Sequence, residues 1–249
     1  MMPEEIIAKR SNKIVYKDVD TAVKVFDADY LKSDILREAH NNAIVEETGL
    51  PVPSLIEVTR TGGKWAIVTE FVEGDTLSSL MAKNPEKIDE YLNLFVDIQL
   101  KIQSKSSPRL GKLKDKMLFK ISSTDLPADI KYELHTRLEA MPNHMKICHG
   151  DYNPSNVIVR SDGTAAVIDW AHATVGNGSA DAARTYLLFC LSGKTEIAEK
   201  YLTLFCEKSS TKRRYVEQWL PIVAASQMAK GKPEEKEFLS RWVYVSDYQ

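Results

Sequence analysis

The strongest constraint on the fold is a change in sequence pattern near Glu73 and Gly74. The segment before this point is rich in short β-branched runs, which favour strands, whereas most of the segment after it has the apolar spacing of helices. A chain of 249 residues is long enough for two compact lobes. We therefore predict a two-lobed α+β fold, with a small β-rich lobe at residues 1–73 and a larger, mainly helical lobe at residues 74–249.

The small lobe is predicted to contain two β-hairpins with one helix between them. The runs Lys13–Lys17 and Thr21–Phe26 indicate the first hairpin. Leu55–Arg60 and Lys64–Glu70 indicate the second, because a Thr-Gly-Gly turn separates them. Leu31–Thr48 repeats apolar residues at helical spacing and ends where glycine and proline follow.

The larger lobe is predicted to be helical apart from one short hairpin. An Asp-Gly pair between Val157–Arg160 and Ala165–Ile168 is typical of a tight hairpin turn. From Ala180 onward nearly every segment has a helical pattern. The other predicted helices are Leu77–Ala82, Ile88–Gln103 and Pro127–Met141.

Composition excludes several classes of function. The net charge is -2 and the sequence pI is about 6.2, which weighs against a nucleic-acid partner. Three widely spaced cysteines without a C-x-x-C pair weigh against a disulfide framework or a zinc site, and they fit a reducing compartment. We found no signal peptide at residues 1–10 and no apolar stretch long enough to span a bilayer. We expect a cytoplasmic protein without a membrane partner, either a monomer or a dimer.

The densest group of reactive side chains lies in the segment His149–Asn156 and at Asp169. Asp151 and Asn156 are five residues apart, and the predicted hairpin returns Asp169 to the same place. Phosphoryl transfer needs one carboxylate to orient and deprotonate a hydroxyl, and it needs hard oxygen atoms to hold divalent cations. A turn and a strand-end cap would explain these residues one at a time. Their joint spacing favours phosphoryl transfer.

At these residues the chain resembles the aminoglycoside phosphotransferase and choline kinase superfamily, whose fold is that of protein kinases. The histidine-glycine-aspartate, asparagine and isoleucine-aspartate-tryptophan motifs all match. The resemblance implies that Asp151 is the catalytic base, that His149 braces its loop, and that Asn156 and Asp169 bind Mg²⁺. Asp181 resembles an aspartate that opens a helix and hydrogen-bonds the catalytic loop. The implied donor is ATP, with GTP not excluded.

Further residues resemble the nucleotide site of the same superfamily. Lys24 matches the strand lysine that offsets the charge of the α- and β-phosphates, and Glu38 matches its ion-pair partner. A surface lysine and an exposed helix charge are the simpler readings of these two residues. Thr69, Glu70 and Val72 fall at the implied hinge between lobes. There the Glu70 carbonyl and the Val72 N–H would bind adenine, with Thr69 behind the base.

The loop expected to cover the phosphates departs from the protein-kinase pattern. Residues 9–15 contain no glycine. Ser11 and Asn12 can still form a tight turn, since asparagine tolerates left-handed backbone and serine can donate to a phosphate oxygen. This departure weakens a protein-kinase reading more than it weakens an enzyme reading.

The acceptor is the least constrained part of the prediction. Residues 205–249 contain eight basic and six acidic side chains, whereas a polycationic aminoglycoside needs an excess of carboxylates. Trp219, Trp242, Tyr244 and Tyr248 could form a cage for a quaternary amine, but large aromatic side chains in helices more often form the core. We predict a small hydroxylated metabolite, sugar-like or amino-alcohol-like, that is neutral or singly charged.

Three alternatives remain beside a small-molecule kinase. The first is an aminoglycoside resistance kinase. The second is a protein kinase, although no Ala-Pro-Glu segment follows Asp169. The third is a non-catalytic nucleotide-binding regulator, which would have no need to keep Asp151, Asn156 and Lys24 together.

Overall fold

The computed structural model describes residues 5–10 and 12–244, which form two compact units. The first unit holds the described residues up to Glu86 together with Pro154–His172. The second holds Lys87–Asn153 and the described residues from Ala173 onward. The boundary predicted near residue 73 divides the chain once, whereas these units alternate along it. The lobe boundary stays a prediction.

A five-stranded antiparallel sheet is the main layer of the first unit. Its strands are β1 (Glu5–Lys9), β2 (Lys13–Asp18), β3 (Thr21–Phe26), β4 (Leu55–Thr61) and β5 (Lys64–Glu70). They lie in the order β1-β2-β3-β5-β4. Both predicted hairpins are confirmed, and the edge strand β1 is an addition to them. The predicted helix between the hairpins is confirmed as α1 (Lys32–Glu46).

The alternation of side chains along β3 explains how this sheet is packed. Val23 and Val25 point to one face, where they pack with residues of β5. Phe26 points to the other face and packs against Ile35 of α1. Because side chains alternate with a period of two, Lys24 shares the face of Phe26, which is the face that α1 covers.

The rest of the first unit is a small three-stranded sheet with its connections. The strands are β6 (Asp75–Thr76), β8 (Val157–Val159) and β9 (Ala165–Val167), in the order β6-β8-β9. Helix α2 (Leu77–Lys83) follows β6, and short 3-10 helices occupy Pro154–Asn156 and Trp170–His172. The predicted Asp-Gly hairpin is confirmed, and the Asp162 carboxylate accepts a hydrogen bond from the Thr164 N–H at 2.8 Å.

The described part of the second unit is mainly helical. Its helices are α3 (Ile88–Gln103), α4 (Leu113–Ser122), α5 (Ala128–Ala140), α6 (Gly178–Leu191), α7 (Thr195–Ser209), α8 (Arg213–Glu217), α9 (Leu220–Met228) and α10 (Pro233–Val243). Strands β7 (Lys146–Cys148) and β10 (Thr174–Gly176) pair antiparallel. The helices predicted at residues 88–103, at 127–141 and after 180 are confirmed. The sequence analysis missed α4, β7 and β10.

Aromatic side chains form much of the core of the second unit. The rings of Phe95 and Tyr152 stack with centroids 4.2 Å apart, and Tyr201 packs beside Phe95. Trp219 is fully buried, which confirms a core position for this ring. Tyr248 lies outside the described residues. Among the helices that the structure describes, none is long and apolar enough to cross a bilayer.

Candidate active site

Lys24 and Glu38 form an ion pair in the first unit, as their predicted roles require. The Lys24 Nζ donates to Glu38 Oε1, and the Glu38 side chain is only 7% exposed. The pair forms because Lys24 lies on the face of β3 that α1 covers, and Glu38 lies on α1. The simpler readings of a surface lysine and an exposed helix charge do not describe these positions.

Asp169 brings a second carboxylate to the same lysine. Its Oδ1 lies 3.3 Å from Lys24 Nζ, and its Oδ2 lies 3.5 Å from Lys13 Nζ. Lys13 also lies 3.9 Å from Glu38 Oε2. Two lysines and two carboxylates therefore share one cluster, in which each charge has an opposite neighbour.

The backbone at Asp169 is unusual for a residue that carries a side chain. Its φ is 65°, which lies in the left-handed region. Residues other than glycine rarely adopt this region, although aspartate does so more readily than most. Such conformations concentrate at functional sites. This conformation occurs just after β9, where the carboxylate turns toward Lys24 and Lys13.

The environment of Lys24 raises its pKa. Burial by itself lowers the pKa of an ammonium group, but the charges of Asp169 and Glu38 and their hydrogen bonds outweigh that effect. Lys24 is therefore a fixed cation at every physiological pH.

This cluster lines a cavity of about 540 Å³ within the first unit. Lys13, Lys24, Glu38, Asn156 and Asp169 all contribute to its wall. A cavity of this size suits a small-molecule ligand.

The three predicted hinge residues also line this cavity. Thr69 and Glu70 are the last two residues of β5, and Val72 follows that strand. Val72 is buried, and no described residue accepts a hydrogen bond from its backbone N–H. A buried N–H group normally has a partner, so this donor is available to a ligand in the cavity.

The predicted phosphate-covering turn is only partly described. Ser11 lies outside the described residues. Asn12 follows it in the connection between β1 and β2, where its carbonyl accepts a hydrogen bond from the Asp27 N–H at 3.1 Å. Asn12 is not among the described residues that line the cavity, whereas Arg10 and Lys13 on either side of the turn are.

Asn156 and Asp169 meet as the predicted hairpin requires. The Asn156 carbonyl accepts a hydrogen bond of 2.9 Å from the N–H of Ile168, the residue before Asp169. A carboxylate and an amide oxygen are suitable ligands for Mg²⁺, which usually takes few protein ligands and completes its shell with phosphate oxygens and water. The side chains present fit such an ion. A site built from protein ligands alone is a different matter: within the described ranges, no group of three or more His, Cys, Asp and Glu side chains is placed to hold a metal.

The predicted catalytic loop lies in the second unit and is held by a buried carboxylate. Asp181, in the first turn of α6, accepts hydrogen bonds from the N–H groups of Gly150 at 2.8 Å and His149 at 3.1 Å. Burial raises the pKa of Asp181, although His149 and these two hydrogen bonds oppose the rise. The structural role that the sequence predicts for Asp181 fits these contacts.

His149 also supports the loop. Its ring is fully buried, and Nδ1 accepts a hydrogen bond from the Asp151 N–H at 3.2 Å. In this bond Nδ1 is the acceptor. His149 therefore positions the backbone of Asp151.

Arg184 makes the contact that fixes the Asp151 carboxylate. Its Nη2 donates to Asp151 Oδ1 at 3.0 Å, its Nε donates to the Gly150 carbonyl, and its Nη1 donates to Gln227 Oε1 at 3.0 Å. All three guanidinium nitrogens are thus used, and the Arg184 side chain is only 8% exposed. A planar guanidinium held at three points orients its carboxylate partner.

The sequence analysis missed two of these residues, Lys13 and Arg184. Arg184 lies three residues after Asp181, so both side chains project from the same side of α6, and this spacing could have indicated it. Lys13 is the first residue of β2, and nothing in the sequence distinguishes it from Lys17 in the same strand.

The chain matches the model of one protein family over most of its length. The family model described as the phosphotransferase enzyme family matches residues 5–217. The chain therefore belongs to this phosphotransferase family, and the prediction of a phosphotransferase is confirmed. No curated protein matches the chain in sequence.

Solved structures with the same fold include both branches of the predicted superfamily. A choline/ethanolamine kinase family protein from Mesorhizobium loti is 15% identical, with a TM-score of 0.63 over 99% of this chain and 83% of that one. ADP-bound aminoglycoside phosphotransferase APH(2'')-Ib is 16% identical, with a TM-score of 0.64 over 96% and 91%. A thermostable mutant of APH(4)-Ia, solved with AMP-PNP and hygromycin B, is 14% identical, with a TM-score of 0.67 over 96% and 89%. These similarities confirm the predicted protein-kinase-like fold.

Proposed function

We propose that this protein transfers the γ-phosphate of ATP, with Mg²⁺, to a hydroxyl group of a small metabolite. The observation that carries the proposal is Lys24, held by Glu38 and Asp169 in the wall of a cavity. Nucleotide in two structures of the same fold, ADP in one and AMP-PNP in the other, supports ATP as the donor. GTP is the alternative donor.

The residues of the first unit would bind the nucleotide. The Glu70 carbonyl and the Val72 N–H would bind the adenine edge, with Thr69 behind the base. Lys24 would offset the charge of the α- and β-phosphates, and Lys13 would add a second cation. Asn156 and Asp169 would hold Mg²⁺, which neutralises charge on the phosphates when it is bound.

Asp151 would act as the base in the second unit. The acceptor hydroxyl gives its proton to the Asp151 carboxylate, its oxygen bonds to the γ-phosphorus, and the bond from that phosphorus to the ADP oxygen breaks. Arg184 would hold the carboxylate in position, because it occupies Oδ1. His149 would set the backbone of the same residue. The chemistry is mainly positioning and charge stabilisation.

The proposed acceptor is a sugar-like or amino-alcohol-like metabolite. One structure of the same fold holds hygromycin B, so an antibiotic acceptor is the nearest alternative. The slightly basic composition of residues 205–249 favours the metabolite. A cytoplasmic location, a monomeric or dimeric state, and the absence of nucleic-acid and membrane partners stay predictions.

Replacing the proposed base tests this function. Asp151→Asn keeps the shape of the side chain but removes the base, so we expect transfer to fall at least 100-fold, a typical contribution of general base catalysis. Nucleotide affinity and melting temperature should stay close to wild type. Asp125→Asn is the matched control, because Asp125 is an exposed loop residue between α4 and α5. If Asp151→Asn retained most of the wild-type rate on a confirmed acceptor, Asp151 would not be the base.

A further inference from the structure

The negative charge of the proposed base is already neutralised. Asp151 pairs with Arg184, which also contacts Gln227 of α9. Gln227 in turn donates to Glu235 of α10 at 2.6 Å, and Glu235 pairs with Lys232 at 2.9 Å. This chain of contacts contains two cations and two anions. It needs no further positive charge.

Two more lysines nevertheless lie in the same part of the second unit. Lys120 lies near the end of α4, which packs against α9, and Lys230 lies in the turn after α9. The Lys230 N–H donates to the carbonyl of Gln227 at 3.0 Å, and the Gln227 side chain holds Arg184. Across residues 5–10 and 12–244, neither lysine makes an ion pair or a side-chain hydrogen bond.

The electrostatic surroundings of both lysines agree with the place that the packing of α4 on α9 and the contacts of Gln227 give them near Asp151. Burial, together with the positive charges of Arg184 and Lys230, lowers the pKa of Lys120 to about 8, and the charge of Asp151 opposes this shift. Burial and Arg184 also lower the pKa of Lys230, against Asp151 and Glu235. Each lysine is therefore within electrostatic reach of the proposed base and of Arg184.

The cluster therefore carries a surplus of two positive charges. Arg184 balances Asp151, Lys232 balances Glu235, and Lys120 and Lys230 are left over. Lys120 is half-buried without a carboxylate partner, which lowers the stability of the fold unless an anion compensates its charge, whereas Lys230 is exposed and accessible to a ligand. Perturbed groups of this kind beside a reactive carboxylate indicate a binding site.

We propose that the acceptor is an alcohol that carries an anionic group, a carboxylate or a phosphate, and that Lys120 and Lys230 bind this group. The proposal rests on the proposed function, because it takes Asp151 as the base that meets the acceptor hydroxyl. It narrows the acceptor predicted from the sequence, which was neutral or singly charged, to an anion. The same surplus of cations repels quaternary amines and polyamine antibiotics.

Calorimetric titration tests the anionic site directly. The protein is first saturated with ADP and Mg²⁺, so that the probes cannot bind in the nucleotide cavity. The probes are glycerate, glycerol 3-phosphate, neutral glycerol and cationic choline. We expect at least one anionic probe to bind about tenfold more tightly than glycerol, as a hydrogen bond to a charged group does, and choline to bind least.

Variants assign that binding to the two lysines. Lys120→Ala and Lys230→Ala should each weaken the anionic probe about tenfold, and the double variant should bring it to the level of glycerol. Lys101→Ala, at an exposed lysine near the end of α3, is the charge-matched control and should change nothing. Lys120→Arg should retain most of the affinity, because it keeps the charge. The relative affinity for glycerate and glycerol 3-phosphate identifies the anionic group.

The outcomes separate this inference from the proposed function. If ADP does not bind, the proposed function fails, and the probe titrations without nucleotide still decide whether the lysines bind anions. If ADP binds but glycerol or choline binds as tightly as both anions, the inference is wrong. The inference also fails if the double variant binds the anions unchanged, or if neither anion binds in the millimolar range.

Discussion

Lys24 in the first unit and Lys120 in the second are both shielded from water, yet their pKa values move in opposite directions. Lys24 has two carboxylates as neighbours, and its pKa rises despite burial. Lys120 has two cations and one carboxylate as its charged neighbours, and that carboxylate is already paired with Arg184. The pKa of Lys120 therefore falls to about 8. Partners, more than burial, decide the charge state of a buried lysine.

This difference separates two tasks. The cluster of Lys13, Lys24, Glu38 and Asp169 is balanced, so its ion pairs hold both lysines in the wall of the cavity. The cluster around Asp151 has a surplus of positive charge that an arriving anion would remove. A balanced cluster suits a site for Mg²⁺ and nucleotide together, and a surplus suits selection of an anion.

The largest loss of activity is expected from replacing Lys24, which belongs to the balanced cluster. Lys24→Ala should lower kcat/KM for ATP roughly 100-fold, the loss typical of one fixed donor to developing charge. It also leaves the buried Glu38 with Lys13 as its one remaining ion-pair partner among the described residues, so the melting temperature should fall. Steady-state kinetics and thermal unfolding measure the two effects.

The double variant Lys24→Ala/Glu38→Gln separates the two effects. It removes the uncompensated carboxylate, so we expect it to recover stability without recovering activity. A Lys24→Ala enzyme with unchanged kcat and KM for ATP would return Lys24 to a structural role.

Asp169→Ala should change the affinity for ATP in opposite directions with and without Mg²⁺. With Mg²⁺, the affinity for ATP should fall about tenfold, because a hard oxygen ligand is lost. Without Mg²⁺, the affinity for ATP should rise, because Lys24 and Lys13 lose a competing carboxylate. Calorimetric titration of ATP with Mg²⁺ and with a chelator measures both. Equal changes under the two conditions would remove Asp169 from the metal site.

A smaller effect is expected from pH at the cluster with the positive surplus. Lys120 is charged below its pKa of about 8 and neutral above it, so affinity for glycerate should fall several-fold as pH rises from 7 to 9. The charged groups that act on Lys120 are Arg184, Lys230 and Asp151. Lys120→Arg should show a shallower dependence, because arginine keeps its charge throughout this range. A wild-type affinity that is flat across this range would contradict the expected loss of charge.

The smallest effect is expected at the support of Arg184. Gln227→Met removes the oxygen that accepts from Arg184 Nη1 and leaves a buried donor without that partner. We expect a loss of about 1–3 kcal/mol in the free energy of unfolding and a fall of a few-fold in kcat. Ser226→Ala on the same helix is the control, because the buried Ser226 hydroxyl has no hydrogen-bond partner among the described residues. Urea unfolding and steady-state kinetics measure both, and equal effects of the two substitutions would argue against a role for Gln227 in positioning Arg184.

Local pattern was enough to predict most secondary structure. The bounds of β3, β5 and α3 agree with the sequence, because alternation and helical spacing depend on near neighbours. Helix α4 was missed, although its buried Leu113, Met117 and Ile121 recur every four residues, a spacing that could have indicated a helix. Strands β7 and β10 are three residues each, too short to show a period.

The sequence by itself determined the candidate base, the candidate metal ligands and the lysine of β3, because a rare motif spacing and a strand pattern indicate them. Only the tertiary structure decided which charges balance. Arg184 and Lys120 come from two helices, and Lys230 comes from the turn after a third, all far apart in the chain. Lysines are usually solvated, so their types and order carry no sign of a shared environment. The charge state of a group depends on neighbours in space, and long-range packing brings these together.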